Sequence, residues 1–327
     1  MTENTVLPLI NTAFEPGNAR KAAESFADRD FREIAIAEFY YFTGQAQKCS
    51  DLVEIYIMSS RLELKLSACM LYVYSNLTLG NAKASERGLE IIRECLRKEM
   101  EAPTSERNTA YCVFAGYMGT VLLHLSTEEL PDMKKYMSSL PQGLRIFAAN
   151  VISHDLYLKG EYSRALGICD AALFSCKEIY PVGMIYLYCV TAMCEISLKH
   201  QAEAEKAILT AWKLAEPFIE LHGLLQGLLE SCIRKENPEM YRKISDAVIT
   251  FSRGWMAVHN PASDRPVTDA LTTMEFSIAM LACRDWSNRE IAEHMGVSLN
   301  TVKHYLTDIF NKLHVKKRDE LKNFVLK

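Results

Sequence analysis

From Phe31 onward this chain offers almost nothing but helix, and that narrows its fold more than any other feature. Apolar residues recur at the 3.6-residue period and alternation of period two is nearly absent. Breakers are sparse, with ten Pro and fourteen Gly in 327 residues. The expectation is an all-α fold with no substantial sheet. Residues 1–28 read differently: a polar, Pro-containing segment comes first, then an Ala-rich helical pattern from about Asn18.

Repeats organise the helical body. Leu156-Tyr-Leu-Lys-Gly160-Glu-Tyr162-Ser-Arg-Ala165, continuing to Ala172-Leu173, reads as a turn followed by the second helix of a hairpin. Gly160 supplies a left-handed turn residue, Tyr162 fills the hairpin cleft, and Ala165 and Ala172 allow close helix approach. Weaker copies stand at Phe42-Thr-Gly44, Leu79-Gly80 and Leu198-Lys-His200, the last followed by Ala204 and Ala211. A degenerate unit is expected near Leu125-Ser-Thr127 and another end near Asn237-Pro238. This pattern resembles the tetratricopeptide (TPR) repeat. Its wider period, near 36–40 residues against the standard ~34, is similar to the irregular arrays of MalT-type regulators. Residues 30–250 are thus expected to form about six hairpins stacked into a curved α-solenoid, with an irregular all-α domain as the other reading.

At Ser252–Ala270 the composition changes. Pro261, Ser263, Asp264 and Pro266 interrupt helix and mark a linker. The expected domains are therefore 1–251, a linker at 252–270, and 271–327. Within the last, Thr272 with Glu275 and Ser287 with Glu290 have capping-box spacing. Gly296 stops one short helix and Ser298 caps the next, giving helix, three-residue turn, helix. Projected at about 100° per residue, Val302, Leu306, Ile309, Phe310 and Leu313 share one sector. Asn300, Lys303, His304, Thr307 and Asn311 face the other way. That outer face is amide, hydroxyl, imidazole and one Lys rather than Glu/Lys pairs, groups suited to base edges and phosphates.

At these residues the chain resembles the LuxR/GerE-type DNA-binding domain of bacterial transcription regulators. Leu271-Thr272 with Glu275, Ser287-Asn288 with Glu290-Ile291-Ala292, Thr301-Val302-Lys303, Lys312-Leu313 with Val315, and Arg318 match that family's run. Met274, Asp285, Tyr305, His314 and Lys317 depart from it, and Asp308 lies beside the reading face. The resemblance implies a small four-helix helix-turn-helix domain whose helix Leu299–Leu313 enters the major groove of double-stranded DNA. The expected DNA contacts are Asn288, Asn300, Thr301, Lys303, His304, Thr307, Lys316, Lys317 and Arg318. A final helix would pair two copies through Leu321, Phe324 and Val325, although that short apolar stripe fits docking on its own domain equally well. Two copies on DNA would occupy half-sites about 10 bp apart or a multiple of that.

Charge agrees with a small docking module on an acidic body. The whole chain carries −4, while residues 271–327 hold nine Lys/Arg against seven Asp/Glu, and 298–318 hold five against one. No phosphate-binding G-x-x-x-x-G-K-[ST], H-E-x-x-H or G-x-S-x-G occurs, and no His or Cys spacing suits a metal, so neither an enzyme nor a cofactor or metal site is expected. His124, His154 and His222 lie in apolar helical contexts and read as core. Ten scattered cysteines without C-x-x-C, and no secretory opening, point to a cytoplasmic protein, with Cys189 and Cys194 as a remote redox pair. The uncharged run Asn108–Thr127 approaches membrane-span length but reads as a buried helix pair.

The function expected from these features is a sequence-specific transcription regulator. Its solenoid groove, lined by Tyr40, Tyr41, Tyr72, Tyr74, Tyr186 and Tyr188, would hold a peptide, protein or small-molecule effector. RNA polymerase is a further implied partner. The alternative is a TPR-type adaptor whose C-terminal helices serve dimerisation.

Overall fold

Side-chain caps start three helices of the array, and one recurring turn ends four. In the computed structural model, which describes residues 4–79, 81–122, 127, 129–215, 271–283, 286–295 and 297–324, all regular structure among the described residues is helical. After the short α1 (Ala19–Glu24) come α2 (Arg29–Phe42), α3 (Ala46–Val53), α4 (Leu62–Thr78), α5 (Ala82–Glu101), α6 (Glu106–Val121), α7 (Gln142–Leu158), α8 (Tyr162–Phe174), α9 (Pro181–Ser197) and α10 (Gln201–Ala215). Asp28, Asn81 and Ser105 accept first-turn N–H groups of α2, α5 and α6 with their side chains. Pro181 stands in the first turn of α9, where its missing N–H costs nothing.

Consecutive helices pair as hairpins, α2 with α3, α4 with α5, α7 with α8 and α9 with α10. The first helices of the pairs also lie side by side, α2 on α4, α4 on α6, α6 on α7 and α7 on α9. Between α6 and α7 the described residues hold only a 3-10 stretch, Met133–Ser139, while Leu125 and Ser126 of the degenerate unit expected near Leu125-Ser-Thr127 lie outside them. Hairpins begin at Arg29, Leu62, Glu106, Gln142 and Pro181, an uneven spacing that fits the TPR-like reading. Each of four helix ends is closed by an N–H reaching back five residues: Gln45 to Tyr40, Asn81 to Asn76, Glu161 to Leu156 and His200 to Glu195, at 2.7–2.9 Å. Gly44 (φ 83°) and Gly160 (φ 76°) take the left-handed position, and Lys199 takes it at φ 66°.

The layers differ in chemistry. α4, α6 and α7 are buried on nearly every side, whereas α5 keeps an outer face of ion pairs, Arg97 with Glu94 and Glu101, and Lys98 with Glu94. Aromatic rings link the inner helices, Tyr41 to Tyr74 and Phe114 to Phe147 to Tyr186. Tyr72 and Tyr74 are therefore buried packing residues, while Tyr40, Tyr41, Tyr186 and Tyr188 are half-buried. The uncharged run beginning at Asn108 is mostly α6, packed inside this layer, and no helix among the described residues is long and apolar enough to cross a membrane.

The start of the chain corrects the sequence reading. Residues 4–14 are not a polar lead-in: Val6, Leu7, Leu9 and Ile10 are at most 3% exposed and belong to the array core. Pro8 and the three Thr/Asn residues around the apolar pairs hid that burial from composition. The linker at 252–270, the hairpin ending near Asn237-Pro238, Gly80, His124, His222 and Cys232 lie outside the described residues. His154 is buried on α7 beside Tyr157. Cys189 and Cys194 are buried and not joined by a disulfide.

The C-terminal domain has its own core. It comprises α11 (Thr273–Cys283), α12 (Asn288–Met295), α13 (Leu299–Leu313) and a closing 3-10 stretch, Arg318–Phe324, where a fourth helix is expected. Leu271, Ile278, Leu281, Ile291, Val302, Leu306, Ile309, Leu313 and Leu321 fill its centre.

Candidate nucleic-acid interface

α13 is positioned by its ends and by its buried seam. Ser298 Oγ accepts the N–H of Thr301 at 3.1 Å and pairs with Thr301 Oγ1 at 2.7 Å, so the helix starts where the sequence places its cap. Val302, Leu306, Ile309 and Leu313 are buried and Phe310 is half-buried, the sector expected from helical projection. Asn300, Lys303, His304, Thr307 and Asn311 are exposed on the opposite side, with Asp308 exposed beside them. Thr307 Oγ1 is turned back onto the Lys303 carbonyl at 3.0 Å. Lys316 and Lys317 are exposed just past the helix end.

The supporting helices are set by two reciprocal caps. Thr272 and Glu275 exchange bonds at 2.7 and 3.3 Å, and Ser287 and Glu290 at 2.6 and 3.3 Å. The N–H of Val297 reaches the Ala292 carbonyl at 3.0 Å, closing the end of α12. Gly296 and Asp285 themselves lie outside the described residues. At the far end of α13, His314 occupies the left-handed region at φ 54°. A residue without Cβ takes that region at no steric cost, and a side chain here is held against its own preference.

Two contacts were not legible as such in the sequence. Lys312 Nζ sits 2.7 Å from both carboxylate oxygens of Glu275, joining α13 to α11. Burial raises the Glu275 pKa, but the Lys312 ammonium and the Thr272 donors outweigh it and hold the carboxyl below its usual range. Arg318 passes between elements: Nε donates to the Ala282 carbonyl at 3.2 Å, one NH2 group donates to Asn288 Oδ1 at 2.7 Å, and the other to the Trp286 carbonyl. Asn288 and Arg318, both expected DNA contacts, are turned toward each other in this arrangement. Leu321 is buried in the core of its own domain, the second of the two roles open to it, while the side chain of Phe324 and all of Val325 lie outside the described residues. Lys303, Lys316 and Lys317 are the exposed basic residues among the expected contacts, with Asp308 exposed beside Lys303's face.

Residues 269–325 match the family model of bacterial regulatory proteins, luxR family. This segment is a LuxR-family domain. The match supports a DNA-binding regulatory module in this segment, of which α13 is the longest helix. Neither a curated protein nor a solved structure matches the chain. Among the described residues there is no group of three or more His, Cys, Asp or Glu side chains placed to hold a metal ion.

Proposed function

We propose that this protein is a sequence-specific transcription regulator in which α13 reads the major groove and the helical array receives an effector. The observation that carries the DNA half is the exposed polar face Asn300, Lys303, His304 and Thr307 on a capped helix whose other side buries Val302, Leu306, Ile309 and Leu313. Lys303 faces phosphate or a base edge, His304 and Asn300 face bases, and Thr301 and Thr307 fix register, with Lys316 and Lys317 on flanking phosphates. Asn288 and Arg318 hold the frame that presents this face. Two copies on neighbouring half-sites, and contact with RNA polymerase, complete the reading.

Fluorescence anisotropy of the full chain against duplexes selected from genomic fragments tests it. Binding should weaken steeply with salt, and Lys303→Ala should remove about one phosphate from the salt slope, close to 0.9 in log–log terms. His304→Ala should change sequence preference at one position by about 1–3 kcal/mol while leaving the slope unchanged. Salt-insensitive binding, or equal binding by the Lys303 variant, would remove α13 from the interface. The adaptor alternative has less support, since Leu321 is used inside its own domain.

A further inference from the structure

The inner layer of the array carries polar groups aimed at something that is not a helix. Helix backbone amides are satisfied within their own helix, so a carboxyl buried among helices needs donors from elsewhere. Glu38, fully buried on α2, accepts the N–H of Leu9 on one oxygen at 2.9 Å and that of Ile10 on the other at 3.0 Å. Ser67 on α4 accepts the N–H of Leu7 at 2.9 Å, and Tyr111 on α6 shares a 2.7 Å hydrogen bond with Thr5. At α7 the N-cap residue is Pro141, which offers no side-chain cap. The first amides of that helix, Gly143 and Leu144, donate instead to Asn11 Oδ1 at 3.0 and 3.4 Å.

The guest is a tight turn, closed by Asn11 N–H on the Leu7 carbonyl at 3.1 Å and Thr12 N–H on the Leu9 carbonyl at 3.0 Å. It inserts Val6, Leu7, Leu9 and Ile10 between the helices. The seat is shaped for it: a Cβ at Gly143 would lie 2.5 Å from Asn11 Cα and 2.7 Å from the Ile10 oxygen. Its tether then reaches the surface, where Gly17 (φ +90°) has open space around it. Helices that satisfy a non-helical segment through its backbone amides, and pocket its apolar side chains, are recognising a peptide.

We propose that this seat is the effector site of the array, and that residues 5–14 are a tethered guest occupying it. Its exchange partner is a short peptide segment of another protein with the same chemistry: two apolar residues, a proline, two apolar residues and an asparagine. The proposal rests on the array being the receiving half of the regulator, and not on α13 binding DNA.

The test uses the full chain with a protease site introduced at Gly17 and cut after folding. A labelled peptide spanning residues 4–14 is then titrated by anisotropy, with circular dichroism followed throughout. Saturable uptake by the cut chain is expected. Uptake by the uncut chain should be at least tenfold weaker, because a tethered guest competes at an effective concentration on the order of millimolar. A peptide N-methylated at Leu9 and Ile10 should bind roughly tenfold weaker or worse, having lost the donors that Glu38 accepts. Three results would overturn the proposal: helix loss on cutting, which makes the turn ordinary core; no uptake by the cut chain; or equal uptake of the N-methylated peptide or by the uncut chain. DNA binding is titrated separately on the same sample, so its failure would leave the peptide result standing.

Discussion

The array and the C-terminal domain reach a buried core by opposite means. In the C-terminal domain the decisive bonds are short-range. Thr272 with Glu275, Ser287 with Glu290 and Ser298 with Thr301 each span three residues. Its longest described ties, Lys312 to Glu275 and Arg318 to Ala282, span fewer than forty. The array is tied over long range: Thr5 meets Tyr111 and Asn11 caps Gly143, each more than a hundred residues away. A domain specified by local caps can keep its fold while its surface drifts. An array closed by its own first residues has a conformation that depends on whether that segment is in place. Under the function proposed above, rigidity falls to the DNA-contacting half and conformational choice to the array.

The comparison breaks most sharply at Gly143. Gly143→Val should destabilise the array by about 3 kcal/mol, since the new side chain meets backbone rather than a movable side-chain tip. Hydrogen exchange resolved by peptide should show faster exchange across α2, α4 and α7, with α11 to α13 unchanged. Equal loosening of both halves would mean the two are not independent. Next in size is a pH effect confined to the array. Burial pushes the Glu38 carboxyl up to about 8 against the pull of the Leu9 and Ile10 amides. The folded array therefore keeps a proton that the unfolded chain releases above about 4.5. Its stability is fullest below that value and falls as pH rises towards 8. Glu33, held low by the Tyr56 hydroxyl and Arg29, acts oppositely, and its contribution is lost only in acid below the usual carboxylate range. Thermal unfolding between pH 5 and 8 should show the slope, and Glu38→Gln should flatten it.

How much of this could be read from residues alone follows the same division. The caps, the buried seam of α13 and its outer face were all legible, because each depends on spacing within one helix. The turns at Gly44, Gly160 and Lys199 were legible for the same reason. What sequence reasoning missed was long-range. Nothing local distinguishes Glu38 from a solvated helical Glu, and nothing around Gly143 announces a backbone passing within contact distance. Thr5-Val-Leu-Pro-Leu-Ile-Asn11 looked like a polar lead-in because its apolar pairs are too short for a periodicity. Family position makes Arg318 an expected DNA contact, and nothing in its own stretch announces the three protein acceptors it meets in two other stretches of chain.

Two smaller effects sharpen the contrast within the C-terminal domain. Lys312→Ala should cost that domain about 2 kcal/mol, because Glu275 is left buried with only the Thr272 donors. The loss stays below that of a fully buried pair, as Lys312 is itself 39% exposed. Chemical denaturation followed by exchange at α11 measures it, and an unchanged midpoint would reduce the ion pair to surface decoration.

The smallest expected change is a gain. His314 ends α13 in the left-handed region, with its N–H on the Asn311 carbonyl at 3.3 Å and that of Val315 on the Phe310 carbonyl at 3.0 Å. Both bonds are made by backbone, so a residue without Cβ keeps them and removes the steric cost of the conformation. His314→Gly should therefore stabilise the domain by about 1 kcal/mol, less whatever entropy the glycine returns to the unfolded chain. The imidazole is exposed and lies beyond the reading face, so duplex affinity should be unchanged in the same variant. A gain in stability with no change in binding would show that this departure from the family pattern is tolerated strain. A loss of affinity would instead give His314 a place at the phosphate backbone beside Lys316 and Lys317, and would extend the interface past the end of the helix.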